Sequence, residues 1–463
     1  MNLKVHGAGE RGGALTWQRW LALLALLCLL VSLGRFFATN MGTLMSVMVL
    51  FPLSAAFAAL VLKETRLYRQ PEFILLLAFA AAVLISSAVS EKLYGTFVAN
   101  RNYLGTLATS LFVCYALCFA LPKETRARTL HVFIGVSTAV VAAACLLGVI
   151  LAARGDYLVP RFMPEYGIGL CPPEVGMGAD WRLVVFTHPN TVGMVCEIVL
   201  LLCAYRIITL RNTLGRVLYG VAAAICFAAL ALAASRTSSL ALSAGLAMVA
   251  FRLLWGKLKD RKPAARWLAC IAAAAVTAVA CFVLLDLLCG ALLSLSPEGS
   301  SLAAAETAAE RVIADETGAF SGRTRLWSGV LACMQDTPYL FAVGTSPVQV
   351  GQVIAPYTPI WVQEVHSSLV QMLISCGIPC LLLFAAFTVL LAVKGVRVFF
   401  AAPRAGAFDA GWLVPVLVAV LISASMETFL ALYPQLHFAN LWFFLAAGYV
   451  VCAANEQKAG ADA

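Results

Sequence analysis

Runs of about 20 apolar residues recur along this chain, and that pattern leaves few folds open to it. A stretch of this length crosses the hydrocarbon of a bilayer as one helix. In lipid a backbone must satisfy its own N–H and C=O groups, and a helix does so within a single segment. The composition agrees: 62% of the 463 residues are hydrophobic and 12% are charged, where a soluble domain carries about a quarter charged. The expectation is an all-α integral membrane protein, with residues 1–463 forming one polytopic domain.

Twelve spans are expected, near 17–37, 41–62, 71–90, 103–121, 130–153, 188–206, 217–235, 238–255, 267–289, 366–393, 412–430 and 438–455. Charge orients them. With the N-terminus inside, the loops on the inner side carry Lys63, Arg66, Arg69, Lys123, Arg126, Arg128, Arg206, Arg211, Arg216, the 252–266 cluster, Lys394, Arg397 and Arg404. Every one of those loops is basic, as the positive-inside rule requires. Both termini are then cytoplasmic. The net charge of +9 is explained by topology, so nucleic acid is not expected as a partner. Residues 1–16 are polar and no clear small-residue cleavage site follows the first apolar run, so no removable signal is expected.

Two outer loops are long. Residues 154–187 are rich in Gly and Pro and read as irregular. Residues 290–365 form the larger loop, before the tenth span; loops of this length are usually functional or disordered, and this one is not disordered in composition. Within it, 301–316 is Ala-rich and helical by propensity. Residues 322–335 place Leu326, Trp327, Val330, Leu331 and Met334 on one helical face, with Ser321 as a cap and Pro338 beyond the end. A helical cap over the outer face is expected. Of the fifteen cysteines most lie within spans, where Cys acts as a small hydrophobe. Cys171 and Cys333 both fall in outer loops, where a disulfide between them is open.

Polar residues at the outer face are the candidates for chemistry. Arg236 lies in Ala-Ser-Arg-Thr-Ser, in a tight turn between two spans. It fits an anion site, and equally an arginine reaching up to lipid phosphates. Arg323 stands at the start of the cap helix. The helix dipole disfavours a cation there, while the free N–H groups of the same helix end favour an anion beside it. A solvated surface arginine, with Arg325 as neighbour, is the plainer reading. His366 stands where the large loop re-enters the membrane, as a general base or as an ordinary interfacial histidine. Glu364 is close enough in sequence to orient or repel it. His188-Pro189-Asn190 reads as a helix start. Arg182 and Arg161 add positive charge in the first outer loop. Glu197, inside a span, needs a partner, and Asp286 and Glu427, near outer span ends, are placed to pair with the arginines. The five histidines show no metal-ligand spacing, and no P-loop, GxSxG or HExxH occurs. Neither a metal nor a cofactor is expected.

Four segments in order, Phe-Thr-His-Pro-Asn-Thr (186–191), Ala-Ser-Arg-Thr (234–237), Ser-Gly-Arg-Thr-Arg-Leu-Trp (321–327) and Val-His-Ser-Ser-Leu-Val-Gln (365–371), are joined by Pro338, Gly344 and Gly377-Ile378. Set in a twelve-span chain with a large outer loop before the tenth span, they resemble the O-antigen ligase / O-antigen polymerase family of bacterial envelope enzymes, over about residues 186–380. Ser367 stands where that family often has Asn, and only Gly344 represents its Gly-x-Gly. The resemblance implies a lipid-sugar glycosyltransferase C-like fold and a metal-independent, inverting glycosyltransferase of the cytoplasmic (inner) membrane. The donor would be a glycan on undecaprenyl diphosphate, and the acceptor a hydroxyl of a lipid or glycan on the outer side. By position Arg236 and Arg323 match the arginines that hold the donor diphosphate and His366 matches the loop histidine, with Arg161, Arg182, Asn190, Arg325 and Glu364 in possible support. Ligase and repeat-unit polymerase differ only in acceptor. A secondary transporter or lipid-glycan flippase is the competing class, and it would place ionisable residues near the midplane on interrupted helices.

Overall fold

A computed structural model describes residues 16–33, 49–94, 97–154, 157–158, 168–171, 182–186, 188–294, 323–358, 364–401 and 409–459. The chain up to the large loop contributes α1 (Trp17–Leu33), α2 (Phe51–Thr65), α3 (Pro71–Tyr94), α4 (Phe97–Thr109), α5 (Ala116–Ala120), α6 (Lys123–Arg154), α7 (Pro189–Thr209), α8 (Thr213–Ala233), α9 (Arg236–Lys257) and α10 (Pro263–Ser294). A π-helical segment, Ser110–Tyr115, joins α4 to α5 into one span. The cap contributes α11 (Arg323–Asp336), α12 (Leu340–Val343) and α13 (Val350–Ile354). Then come α14 (Ser368–Phe400), α15 (Val414–Met426) and α16 (Phe438–Ala459). Among the described residues nine helices are long and apolar enough to cross a membrane, and Trp17–Leu33 and Ala410–Met426 are shorter apolar helices. The protein is an all-α membrane protein by architecture.

Burial separates the inside of the bundle from its lipid face. From Phe438 to Cys452 every residue of α16 is buried, including Trp442, Phe443, Phe444 and Tyr449. A helix that is apolar all round and enclosed all round is a central one. Helix α10 is the opposite case: Leu268, Ile271, Val276, Val279 and Leu287 are each more than half exposed. A continuous apolar exposed face on a spanning helix is satisfied by acyl chains.

Helix direction sorts the polar residues to two ends. At one end lie the ion pairs Arg126–Glu456 (2.6 Å), Lys394–Glu72 (2.5 Å) and Arg252–Asp409 (2.7 Å). At the other lie the starts of α7, α9, α14 and α16 and the ends of α8 and α15, and here the backbone departs from the sequence expectations in three places.

First, the loop expected to be irregular contains a three-stranded antiparallel sheet, β1 (Tyr157–Leu158), β2 (Ile168–Cys171) and β3 (Arg182–Val184). Leu183 and Val184 of β3 and the following Val185 and Phe186 are buried, and Val185 packs on Gly148 of α6. Second, α14 is broken at Gly377 (φ 77°), with Pro379 just beyond. The carbonyls freed there are taken by the cap: Thr345 N–H donates to Ile374 O and Ser346 N–H to Ser375 O, both at 2.8 Å. The Ser86 hydroxyl donates to Ser375 O as well, at 2.7 Å. Third, the span expected to run to 430 stops at Met426. Glu427 is extended (φ −141°), and residues 427–437 cross the site end without helix.

The cap has a core of its own, built from Leu326, Val330, Cys333, Met334, Leu340, Val350, Ile354, Val365 and Ile374. Helix α11 forms where expected, but Leu331, counted with its apolar face, is 49% exposed. Cys333 is a free, buried thiol of this core, so the Cys171–Cys333 disulfide is not formed. The expected helix at 301–316 and the Ser321 cap lie outside the described residues, as does Arg161.

Candidate functional site

The site is assembled around a carboxylate. Glu427, 7% exposed, accepts a hydrogen bond from Arg323 Nη2 on Oε1 at 2.5 Å and one from Asn190 Nδ2 on the same oxygen at 2.7 Å. Its other oxygen, Oε2, faces His366 Nδ1 at 3.4 Å. Asn190 Oδ1 accepts from Arg182 Nη2 at 2.8 Å. Arg182 also donates to Ala233 O (2.9 Å) and Ala234 O (3.3 Å), at the end of α8. One hydrogen-bonded chain thus runs from the α8–α9 turn through β3, the start of α7 and the end of α15 to the cap helix.

Local sequence explains each position. His188 caps α7, its Nδ1 accepting from Asn190 N–H at 3.2 Å, with Pro189 at the first helical position. Burial first, then the nearby Arg182, lowers the His188 pKa from 6.5 to about 4. It is therefore neutral and able to accept. Ala234 takes the left-handed conformation (φ 47°) and Ser235 caps α9 through its hydroxyl, so Arg236 becomes the first residue of α9 rather than a loop residue. Arg236 Nη1 is buried without a hydrogen-bond partner, and its backbone is two residues from the Ala234 carbonyl that Arg182 holds. A buried, unmatched guanidinium nitrogen at a helix start is a group that an anion can satisfy.

His366 stands before the helix rather than in it. Its backbone is left-handed (φ 50°), Ser367 caps α14, and Ser368 begins it. A non-glycine residue held there costs energy that the surroundings must overcome. Those surroundings are explicit. Val365 N–H donates to Gln371 Oε1 (3.2 Å), Val365 O accepts from Trp327 Nε1 (2.9 Å), and Ser367 N–H donates to Thr428 Oγ1 (3.2 Å). Ser368 binds Glu427 O through both its N–H (3.1 Å) and its hydroxyl (2.7 Å). Cap helix, α14 and the 427–430 segment are thus locked together around one exposed imidazole, whose side chain is 47% accessible beside a Glu427 side chain at 9%.

Glu364 lies within electrostatic reach of both His366 and Glu427. Burial raises its pKa from 4.5 to about 7, with His366 opposing and Glu427 adding to the shift. Arg325 is exposed, turned about 200° around α11 from Arg323.

Of the residues singled out from sequence, the structure joins Arg182, Asn190, Arg323, His366 and Glu364, and brings the backbone of Arg236 alongside. What sequence reading under-weighed is Glu427. It was legible only as one acidic residue near a span end; its rank comes from the bonds it accepts from three separate segments. Away from this site, Cys145, Cys196 and Cys226 set three buried thiols within 4.8 Å of one another, on α6, α7 and α8. Thiols this close could hold a metal ion, and the histidine spacing gave no hint of the cluster.

The chain is thus a many-helix membrane bundle with a cationic, carboxylate-paired cluster at one end, beside a helical cap. Residues 221–385 match the family model of O-Antigen ligase. The matched stretch takes in Arg236, the cap, His366 and the broken helix α14, and leaves Arg182, Asn190 and Glu427 outside it. No curated protein matches the chain.

Proposed function

We propose that this protein transfers a glycan from undecaprenyl diphosphate to an acceptor hydroxyl at the outer face of the cytoplasmic membrane, as an O-antigen ligase. The observation that carries the reading is the convergence of Arg323, Asn190 and His366 on Glu427 at one end of the bundle, with Arg182 holding both Asn190 and the turn that leads to Arg236. As the glycan leaves, the diphosphate gains negative charge. Arg236 and Arg323 are the donors that meet that charge, and they supply locally what a metal ion would otherwise supply. His366 is accessible, as a base for the acceptor hydroxyl needs. Attack from the face opposite the leaving group inverts the anomeric centre. The lipid tail lies along the spans.

Arg323→Ala, Arg236→Ala and His366→Ala are each expected to reduce glycan transfer by about a hundred-fold or more while the protein inserts and expresses normally. Normal transfer by the Arg323 and His366 variants overturns the assignment. The sidedness is tested with C-terminal reporter fusions, expected to report a cytoplasmic terminus.

The polymerase reading shares donor and site and differs in acceptor. Glycan profiling of a deletion strain separates the two: loss of a polymerase leaves single repeats attached, and loss of a ligase leaves none. One feature favours a transporter, the break in α14 at Gly377. Against it, Thr345, Ser346 and Ser86 already bind the freed carbonyls that would coordinate an ion. Ion-coupled uptake in liposomes would reverse the ranking.

A further inference from the structure

We infer that Glu427 is a positioning residue that acts as a switched counter-ion: it pairs with Arg323 while the site is empty of donor, and serves His366 once a diphosphate has taken Arg323. The inference rests on the reading of Arg323 and His366 given above.

The carboxylate is divided between two tasks. Oε1 holds Arg323 Nη2 (2.5 Å) and Asn190 Nδ2 (2.7 Å), and Oε2 faces His366 Nδ1 (3.4 Å). The shorter contacts are to Arg323 and Asn190; the imidazole has the loosest share. The groups facing this corner are Arg182 from β3, His188 from the start of α7, Arg323 from α11 and Glu364 and His366 from the entry to α14. Arg323 forms the shorter of the two ion-pair contacts to Glu427, at 16% side-chain exposure.

A diphosphate carries more negative charge than one carboxylate and matches the guanidinium fork at least as well. It therefore competes with Glu427 for Arg323. Glu427 cannot swing far when Arg323 leaves, because Asn190 still holds Oε1 and Asn190 is itself fixed by Arg182. Its backbone carbonyl is pinned by Ser368. The carboxylate is left facing His366 alone.

With Nδ1–H on Glu427, the imidazole presents Nε2 as its acceptor. In the transfer step the acceptor O–H bond breaks and its proton goes to Nε2. The acceptor oxygen bonds the anomeric carbon, and the carbon–oxygen bond to the diphosphate breaks with its electron pair leaving on the diphosphate. The imidazolium so formed is stabilised by Glu427, as the carboxylate of a catalytic triad stabilises its histidine. Donor binding thereby precedes productive acceptor attack.

The test measures pH–rate profiles with a polyprenyl-diphosphate-linked glycan on purified wild type, Glu427→Gln, Glu427→Asp and His366→Ala. Glu427→Gln is expected to lower kcat about a hundred-fold and to leave the donor KM unchanged or lower, because a competitor for Arg323 is gone. The acid limb of kcat moves to lower pH, since the imidazolium has lost its counter-ion, and Glu427→Asp restores part of that displacement. An unmoved acid limb in Glu427→Gln, with either an unchanged kcat or a raised donor KM, overturns the inference and makes Glu427 a scaffold for Arg323. If His366→Ala transfers normally, it is the underlying reading that fails.

Discussion

At the scale of single residues, the site trades stability for poise. His366 is held at positive φ, Arg236 keeps a buried nitrogen unmatched, and Glu364 is buried enough to raise its pKa from 4.5 to about 7. For Glu364 the sign is definite. Its folded-state pKa lies above the unfolded value, so its stabilising contribution is complete below about pH 4.5 and is lost as pH rises through about 7. Glu364→Gln is therefore expected to flatten the fall in melting temperature between pH 5 and pH 8, measured in detergent; an unchanged slope refutes the burial argument. Arg182 gives a second prediction. It satisfies the carbonyls of Ala233 and Ala234 and fixes the Asn190 amide, so Arg182→Ala should cost about 1–3 kcal/mol and lower transfer as well. A thermal melt paired with a transfer assay checks both. The residue types at these positions were all legible in the sequence. That Glu427 joins them was not, because its partners lie 61, 104 and 237 positions away in the chain.

Elements show the same division. Spanning helices were readable from length and hydropathy, and the cap helix from the spacing of Leu326, Val330 and Met334 with Pro338 beyond it. The short strands of the first outer loop were not, since two to four residues amid Gly and Pro leave no alternation to read. The break in α14 was marked by Gly377 and Pro379 but needed the cap to complete it. Gly344 (φ 70°) and Gly377 (φ 77°) cross so closely that a Cβ on Gly344 would fall 2.2 Å from the Ser375 carbonyl carbon. Gly344→Ala should therefore detach the cap from α14. The left-handed φ alone costs about 1–3 kcal/mol, and the backbone clash adds to it. Limited proteolysis is expected to cut the cap of this variant first. Equal resistance to wild type would show that the crossing does not hold the cap.

For the whole molecule, the two ends of the bundle differ in how their charges are paired. At the end away from the site, Glu72 is 1% exposed and its partner Lys394 is 17% exposed in the side chain. Removing one member of such a buried pair strands the other, at a cost of about 3–5 kcal/mol. Lys394→Ala should accordingly reduce the folded yield, while Lys394→Ala with Glu72→Gln recovers much of it; failure of that double variant to recover argues against a stranded charge. At the site end the charges converge instead on one carboxylate beneath a cap. The sequence by itself determined that this chain is a helical membrane protein with an O-antigen ligase-like order of motifs, because hydrophobic length, basic loops and motif order are local or one-dimensional properties. Only the tertiary structure decided that Glu427 is the centre of the site, that His366 stands outside its helix in a left-handed turn, and that α14 is broken and mended by the cap. Those features depend on hydrogen bonds between segments distant in the chain, and such bonds exist only after the helices have packed.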